Sequence, residues 1–267
     1  MKPFRTNITQ IALYIAAIML IIIIYVIIFL SIKITNIGDI NFAENLTNNY
    51  SLFSILYLIF FKTLLAFTSG LLLRFFFKKV ASPEIFFFSL AILALSFTSL
   101  RSLFLIDGFL GYPAYLSATV TRVFYFGKII TILCLFTSGL FPTGITFRKQ
   151  ETSLFLIILI SFILSSSIPI DLFESNIILL KGTGSEYGMN IIFILLQIFA
   201  SLNFIVASLK NNNHDYLYLA LAIGLVALSN EVLFYLIPGW ISYIALIIMA
   251  GGILLFAYKI NKIYQWT

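Results

Sequence analysis

A polytopic all-α bundle, with eight membrane-spanning helices and both termini in the cytoplasm, is the fold this sequence predicts. Three observations predict it: apolar runs long enough to cross a bilayer, scarce charge, and Lys and Arg that alternate between successive loops. Hydrophobic residues make up 61% of the chain and charged residues only 10%, against about 25% charged in an ordinary soluble domain. A water-soluble surface of this size cannot be covered with so few charges. The run from Ile11 to Ile32 holds no charged residue, and a helix of about 20 such residues spans the hydrocarbon core.

The first helix is expected at about 11–32. Lys2 and Arg5 precede it as in a signal peptide, but the apolar run exceeds the ~7–15 residues of a signal sequence and no small-x-small cleavage site follows. It is read as a retained membrane helix. A polar stretch with Asp39 and Glu44 leads to the second helix, about 52–77. The third, about 84–104, starts at Ser82-Pro83-Glu84, which reads as an N-cap, a proline in the first turn and an early acid. The fourth, about 122–141, reaches spanning length only if Lys128 lies inside the membrane. Pro142 and Gly144 end it. The fifth is about 153–170, and a polar loop follows with Asp171, Glu174, Lys181 and Glu186. The sixth, about 189–209, closes on Lys210-Asn211-Asn212-Asn213. The seventh, about 216–236, ends at the Pro238-Gly239 break. The eighth is about 240–258. Residues 1–267 thus form a single integral membrane domain.

Orientation follows from Lys and Arg in short loops. With the N-terminus inside, the cytoplasmic segments carry Lys2, Arg5, Arg74, Lys78, Lys79, Arg148, Lys149, Lys210, Lys259 and Lys262. The outer loops hold only Lys33 and Lys181, with Asp39, Glu44, Asp171, Glu174 and Glu186. A miscounted span would reverse the sign of every later loop. Phe75–Phe77 and Phe86–Phe88 inside, and Tyr50, Tyr112, Tyr115 and Trp240 outside, are placed as interfacial aromatic belts. Runs rich in Phe, Ile, Leu and Asn have the composition of an AT-rich bacterial genome, so the expected location is a bacterial cytoplasmic membrane.

Several function classes find no support. The net charge of +6 sits at helix ends and not on a soluble basic surface, so nucleic acid is not an expected partner. The lone cysteine, Cys134, lies in an apolar run, where a small buried hydrophobe is its expected role. The one histidine, His214, falls in a polar turn. No CxxC, HExxH, GxGxxG or Walker motif occurs, so neither a metal nor a cofactor is expected.

The informative residues are charges within the spans, which are rare in bilayers and face protein or water when they occur. Lys62 lies deep in the second helix. A central Lys opposes insertion by about 2.5–3.5 kcal/mol. The fourteen Leu, Ile and Phe residues between Leu52 and Leu73 offset this at about 0.3–0.6 kcal/mol each. The helix inserts, and Lys62 still asks for a partner. Glu231 of the seventh helix is the natural candidate, expected close to Lys62 either directly or through one water or the preceding Asn230. Small residues at Ala66/Gly70 and Ala220/Gly224 make contact between these two helices plausible. Gln197 and Asn203 are weaker polar signals.

Arg101, Asp107, Arg122 and Lys128 occupy the outer ends of the third and fourth helices. Six residues turn a helix by about 240°, so Arg101 and Asp107 do not share a face, nor do Arg122 and Lys128. Interfacial anchoring is one reading of the arginines. The sharper one is a candidate polar pocket of Lys62, Arg101, Asp107, Arg122, Lys128 and Glu231, in which four cations meet two acids. Such a surplus suits a lipid phosphate or a carboxylate. The expected function is a transporter-like or lipid-binding bundle with membrane lipid, and an anionic lipid or solute, as its partners. The alternatives are an intramembrane enzyme acting on a lipid phosphate, with Glu231 as general acid or base, and a structural or assembly subunit without a site.

Overall fold

A computed structural model of the chain describes residues 2–37, 52–76, 82–104, 106, 114–144, 150–176, 180–183, 186–235 and 240–265. Its helices are α1 (Lys2–Ile37), α2 (Leu52–Phe76), α3 (Pro83–Ala94, continued as a 3-10 segment Leu95–Ser102), α4 (Ala114–Leu140), α5 (Gln150–Ser167), α6 (Glu186–Asn211), α7 (Asp215–Phe234) and α8 (Trp240–Gln265). Eight helical segments among the described residues are long and apolar enough to cross a membrane. Several run past their expected limits: α1 begins at Lys2 and α4 at Ala114. Hydropathy marks where the bilayer lies, not where backbone hydrogen bonding stops. The longer α4 places Lys128 near mid-helix and resolves the doubt about whether this segment is long enough to span.

An even number of crossings brings both chain ends to one face, and hydrogen bonds tie that face together. Arg5 Nε donates to Gln150 Oε1 at 2.6 Å, and Tyr264 Oη donates to Glu84 Oε2 at 2.8 Å. Lys210 Nζ donates to the Thr143 carbonyl at 2.6 Å, beside Gly144, whose φ of 88° favours glycine. Lys259 and Lys262 both pair with Asp215, at 2.9 and 3.3 Å. This is the terminal face.

The opposite face carries a two-stranded antiparallel hairpin, β1 (Ile170–Asn176) and β2 (Leu180–Thr183). It replaces the polar loop expected there. Its pairing is irregular between Ile170 and Ser175. The segment carries strand-forming residues, Ile170, Phe173, Ile177 and Ile178, but Asp171, Glu174, Lys181 and Gly182 among them give it the look of a polar loop.

Burial sorts the helices into a centre and a rim. In α3 and its 3-10 extension, 89% of the most apolar stretch is buried, against 22% in α1 and 28% in α5. Toward the terminal face the centre is aromatic. The Phe88 ring of α3 stacks on Phe256 of α8, centroids 3.6 Å apart, and Phe204 of α6 meets Phe256 edge-on at 6.3 Å. Phe86, Phe87 and Phe88 are therefore core residues, which corrects their reading as an interfacial belt. Phe75, Phe76, Tyr115 and Trp240 are exposed as belt residues would be. Tyr50, Phe77 and Tyr112 lie outside the described residues.

The 3-10 segment is unusually long, since such runs seldom exceed 3–4 residues. Its sequence, LSFTSLRS, supplies a local cause. Ser96, Thr98 and Ser102 donate to the carbonyls of Leu93, Leu95 and Ser99, three residues back, at 2.7, 2.5 and 2.6 Å. Hydroxyls that bond the backbone in this way compete with regular α-helical geometry.

Candidate functional site

Apart from Glu84 at the terminal face, the buried charges of the spans converge where α2, the 3-10 segment, α4, α6 and α7 meet. Lys62 of α2 and Lys128 of α4 are buried, and Arg101 is fully buried. Lys62 Nζ donates to Asn230 Oδ1 on α7 at 2.9 Å. Lys128 Nζ pairs with Glu231 Oε2 on the same helix at 3.3 Å. The other carboxylate oxygen, Oε1, accepts from Gln197 Nε2 of α6 at 2.7 Å. Lys62 thus meets Glu231's helix through Asn230, one of the routes expected, and the direct ion pair goes to Lys128 instead. Asn230 and Glu231 are consecutive on α7, so they project about 100° apart and meet different lysines.

The small-residue rationale for an α2–α7 contact is also corrected. A Cβ on Gly70 would run into the Leu93 side chain of α3, and one on Gly224 would approach Ser201 of α6. These small residues serve packing against other neighbours. The polar pair Lys62–Asn230 is what links α2 to α7.

Arg101 sits at the seam between the 3-10 segment and α7. Its Nη1 donates to the Phe234 carbonyl at 2.6 Å, one of the carbonyls left without an intrahelical donor at the end of α7. Its guanidinium carbon lies 4.2 Å from the Phe124 ring centre and 4.7 Å from that of Phe234. Lys128 Nζ lies 3.4 Å from the centre of the same Phe234 ring and 5.1 Å from that of Phe193. Ring faces attract cations by about 0.5–2 kcal/mol each, so they share in holding these charges but do not neutralise them. Arg101 Nε and Nη2 have no hydrogen-bond partner among the described residues.

Three cations and one carboxylate therefore gather here among the described residues. Arg122 is exposed on the outward face of α4, consistent with the anchoring reading and not with a pocket. The 240° turn between Arg122 and Lys128 places one outside and one inside. Asp107 lies outside the described residues. No cluster of three His, Cys, Asp or Glu able to hold a metal occurs among the described residues.

A cavity of about 20 Å³ lies between Lys62, Lys128, Thr98, Thr131, Asn230 and the Phe124 and Phe234 rings. It has room for at least one water-sized group, for which about 10–15 Å³ suffices. Phe97 and Ala94 of α3 also wall it. Gly127 makes room for Phe97, because a Cβ there would collide with that side chain.

No family model, curated protein or solved structure matches this chain. The site must be read from its own residues. Asn230, Gln197 and the lysines carried a signal in the sequence as polar groups in apolar runs. Phe124, Phe193 and Phe234 carried none, since 29 phenylalanines give no reason to single out three.

Proposed function

We propose that this is a multi-pass protein of the cell membrane that binds a small anionic group at the Lys62–Arg101–Lys128–Glu231 cluster, as a transporter-like or lipid-binding bundle. One observation carries the reading: among the described residues three buried cations gather around one carboxylate, which pairs with Lys128. Ionised groups inside a bilayer are rare and as a rule functional, and a surplus of one sign asks for a ligand of the other. The unused Arg101 donors support it further. The enzymatic alternative is less well supported, because both oxygens of Glu231 are engaged by Lys128 and Gln197 and Glu231 does not line the cavity. An inward Lys128 paired with Glu231 is what a structural cluster would have, so the anion reading rests on Lys62 and Arg101, the buried cations without a carboxylate partner among the described residues.

The test is thermal unfolding of the purified protein in neutral detergent at constant ionic strength, with acetate replacing gluconate. Gluconate is too large for the cavity. Acetate should raise Tm in the wild type, since a ligand at 100 times its Kd stabilises by about 2.7 kcal/mol. Lys62→Met should flatten the response. An equal response in both proteins would exclude this site.

The terminal face is assigned to the cytoplasm on the Lys and Arg bias of the loops, and the hairpin face to the outside. In a Cys134→Ser background, a cysteine at Asp171 should react with an impermeant maleimide in intact cells. One at Asn212 should react only after lysis. Labelling of position 212 in intact cells would overturn the orientation.

A further inference from the structure

The 20 Å³ cationic cavity is too small for a solute much larger than acetate, so the rest of any larger anion that reaches it must lie elsewhere. Directly across Ala94 and Phe97 lies a second, larger space of about 270 Å³ between α1, α3, α4 and α5. Ile11, Ile15, Leu93, Ile130 and Ile158 are among its walls, and every residue that lines it is apolar or the buried Cys134. Its volume is near the lower limit of about 300 Å³ for pockets that take drug-sized ligands. Ala94 and Phe97 line both spaces.

We propose that this groove and the cationic cavity form one site for a single-chain amphiphile with a carboxylate end. The hydrocarbon chain lies in the groove and the carboxylate reaches Lys62 and Lys128. This rests on the anion-binding reading above and names the ligand class. Charge complementarity selects the end group: among the described residues the cavity wall carries two ammonium groups and no carboxylate. Size selects a carboxylate over a bulkier headgroup, and the modest groove selects one chain over the two of a phospholipid. Ordinary bilayer lipid would fill the groove without regard to charge. The continuity with the cavity is what distinguishes the site.

Phe97 is the partition. It sits on the 3-10 segment, is only half-buried and rests against Gly127 and the edge of Phe126, with ring centres 6.3 Å apart. The ring is seated closely on Gly127, where an added Cβ would collide with it, and its displacement is the movement by which the proposed ligand would join the two spaces.

The test uses the full-length protein in lipid nanodiscs, photolabelled with dodecanoate that carries a terminal diazirine. Label should fall on groove residues of α1 and α5, and unlabelled dodecanoate should compete about tenfold or more better than dodecanol, the scale set by a hydrogen bond to a charged group. Ala12→Trp, which fills the groove from the half-exposed wall of α1, should abolish labelling yet keep the acetate response of the wild type. Lys62→Met should erase the preference for dodecanoate over dodecanol. Circular dichroism and size-exclusion profiles like those of the wild type confirm that both variants fold.

Unchanged labelling in Ala12→Trp would place the chain outside this groove and overturn the proposal, with the anion site intact. Equal competition by dodecanol in the wild type would show an ordinary lipid contact and overturn it as well. Better competition by dodecyl phosphate than by dodecanoate would overturn the carboxylate assignment. Loss of the acetate response in the wild type would remove the anion site on which it rests.

Discussion

Glu231→Gln should lower the stability of the protein in detergent by about 3–5 kcal/mol, the range for breaking a buried ion pair by removing one partner. The carboxylate is the only negative side chain among the described residues of the cluster. Its loss leaves Lys128 with the faces of Phe234 and Phe193, and leaves Lys62, Arg101 and Lys128 to repel one another. The exposures of the pair, 3% for the Lys128 side chain and 14% for that of Glu231, decide the magnitude: an exposed pair would contribute about 1 kcal/mol or less. Lys128→Met alone should also destabilise, because it leaves the carboxylate with Gln197 alone.

The double variant Lys128→Met/Glu231→Gln should recover much of the loss, since replacing both partners of a buried pair is often neutral. Equilibrium unfolding of the four proteins gives the coupling energy directly. Losses that simply add would show that Lys128 and Glu231 act independently. Lys62→Met serves as the contrast. Its partner, Asn230 Oδ1, is neutral, so a smaller loss or a gain is expected from removing an excess cation.

Arg101→Met should stabilise the anion-free protein by about 1–4 kcal/mol and weaken its response to acetate, which Lys62 and Lys128 contact and which Arg101, outside the cavity wall, favours only through its charge. The stabilising part is desolvation: an ion withdrawn from water carries an effective penalty of several kcal/mol. Arg101 is fully buried with Nε and Nη2 unpartnered, so little of that penalty is offset. Against this stand one charge-assisted hydrogen bond, to the Phe234 carbonyl, of about 1.5–3 kcal/mol, and two ring contacts. Relief from Lys62 and Lys128 adds to the gain. A binding residue kept at the expense of stability should behave this way. A loss of several kcal/mol in anion-free buffer would instead make Arg101 a cap for α7, and the case for an anion would then rest on the lysines alone.

Helix α4 shows how legible the fold was. Its uncharged run was too short to span, and only the choice to keep Lys128 within it gave a full crossing. Adopting that choice for the whole chain produced eight spans, and the eight helices are long and apolar enough to cross. The failures were local. The β1–β2 hairpin reads as a loop because Asp171, Glu174, Lys181 and the glycines outweigh the short apolar runs between them, which are too short for a span. Phe86–Phe88 were misplaced because phenylalanine is equally at home in an interface and in a core, and sequence position alone does not say which neighbour it meets.

What the sequence determined by itself is the set of quantities that depend on one segment and its solvent. Each apolar run is long enough for the bilayer, each loop has a sign of charge, and Lys62, Arg101, Lys128 and Glu231 stand out because a bilayer tolerates few ionised groups. Pairing was decided only by the tertiary structure. Lys62 could have met Glu231, but α7 presents Asn230 to α2 and Glu231 to α4. Arg101 and Arg122 could both have been anchors, but α3 is central and draws Arg101 inside, while Arg122 turns outward from α4. The physical reason is that hydrophobicity acts on a helix as a whole. Which polar side chains meet depends on the rotation and packing of each helix against several others, and that information is not contained in any one segment.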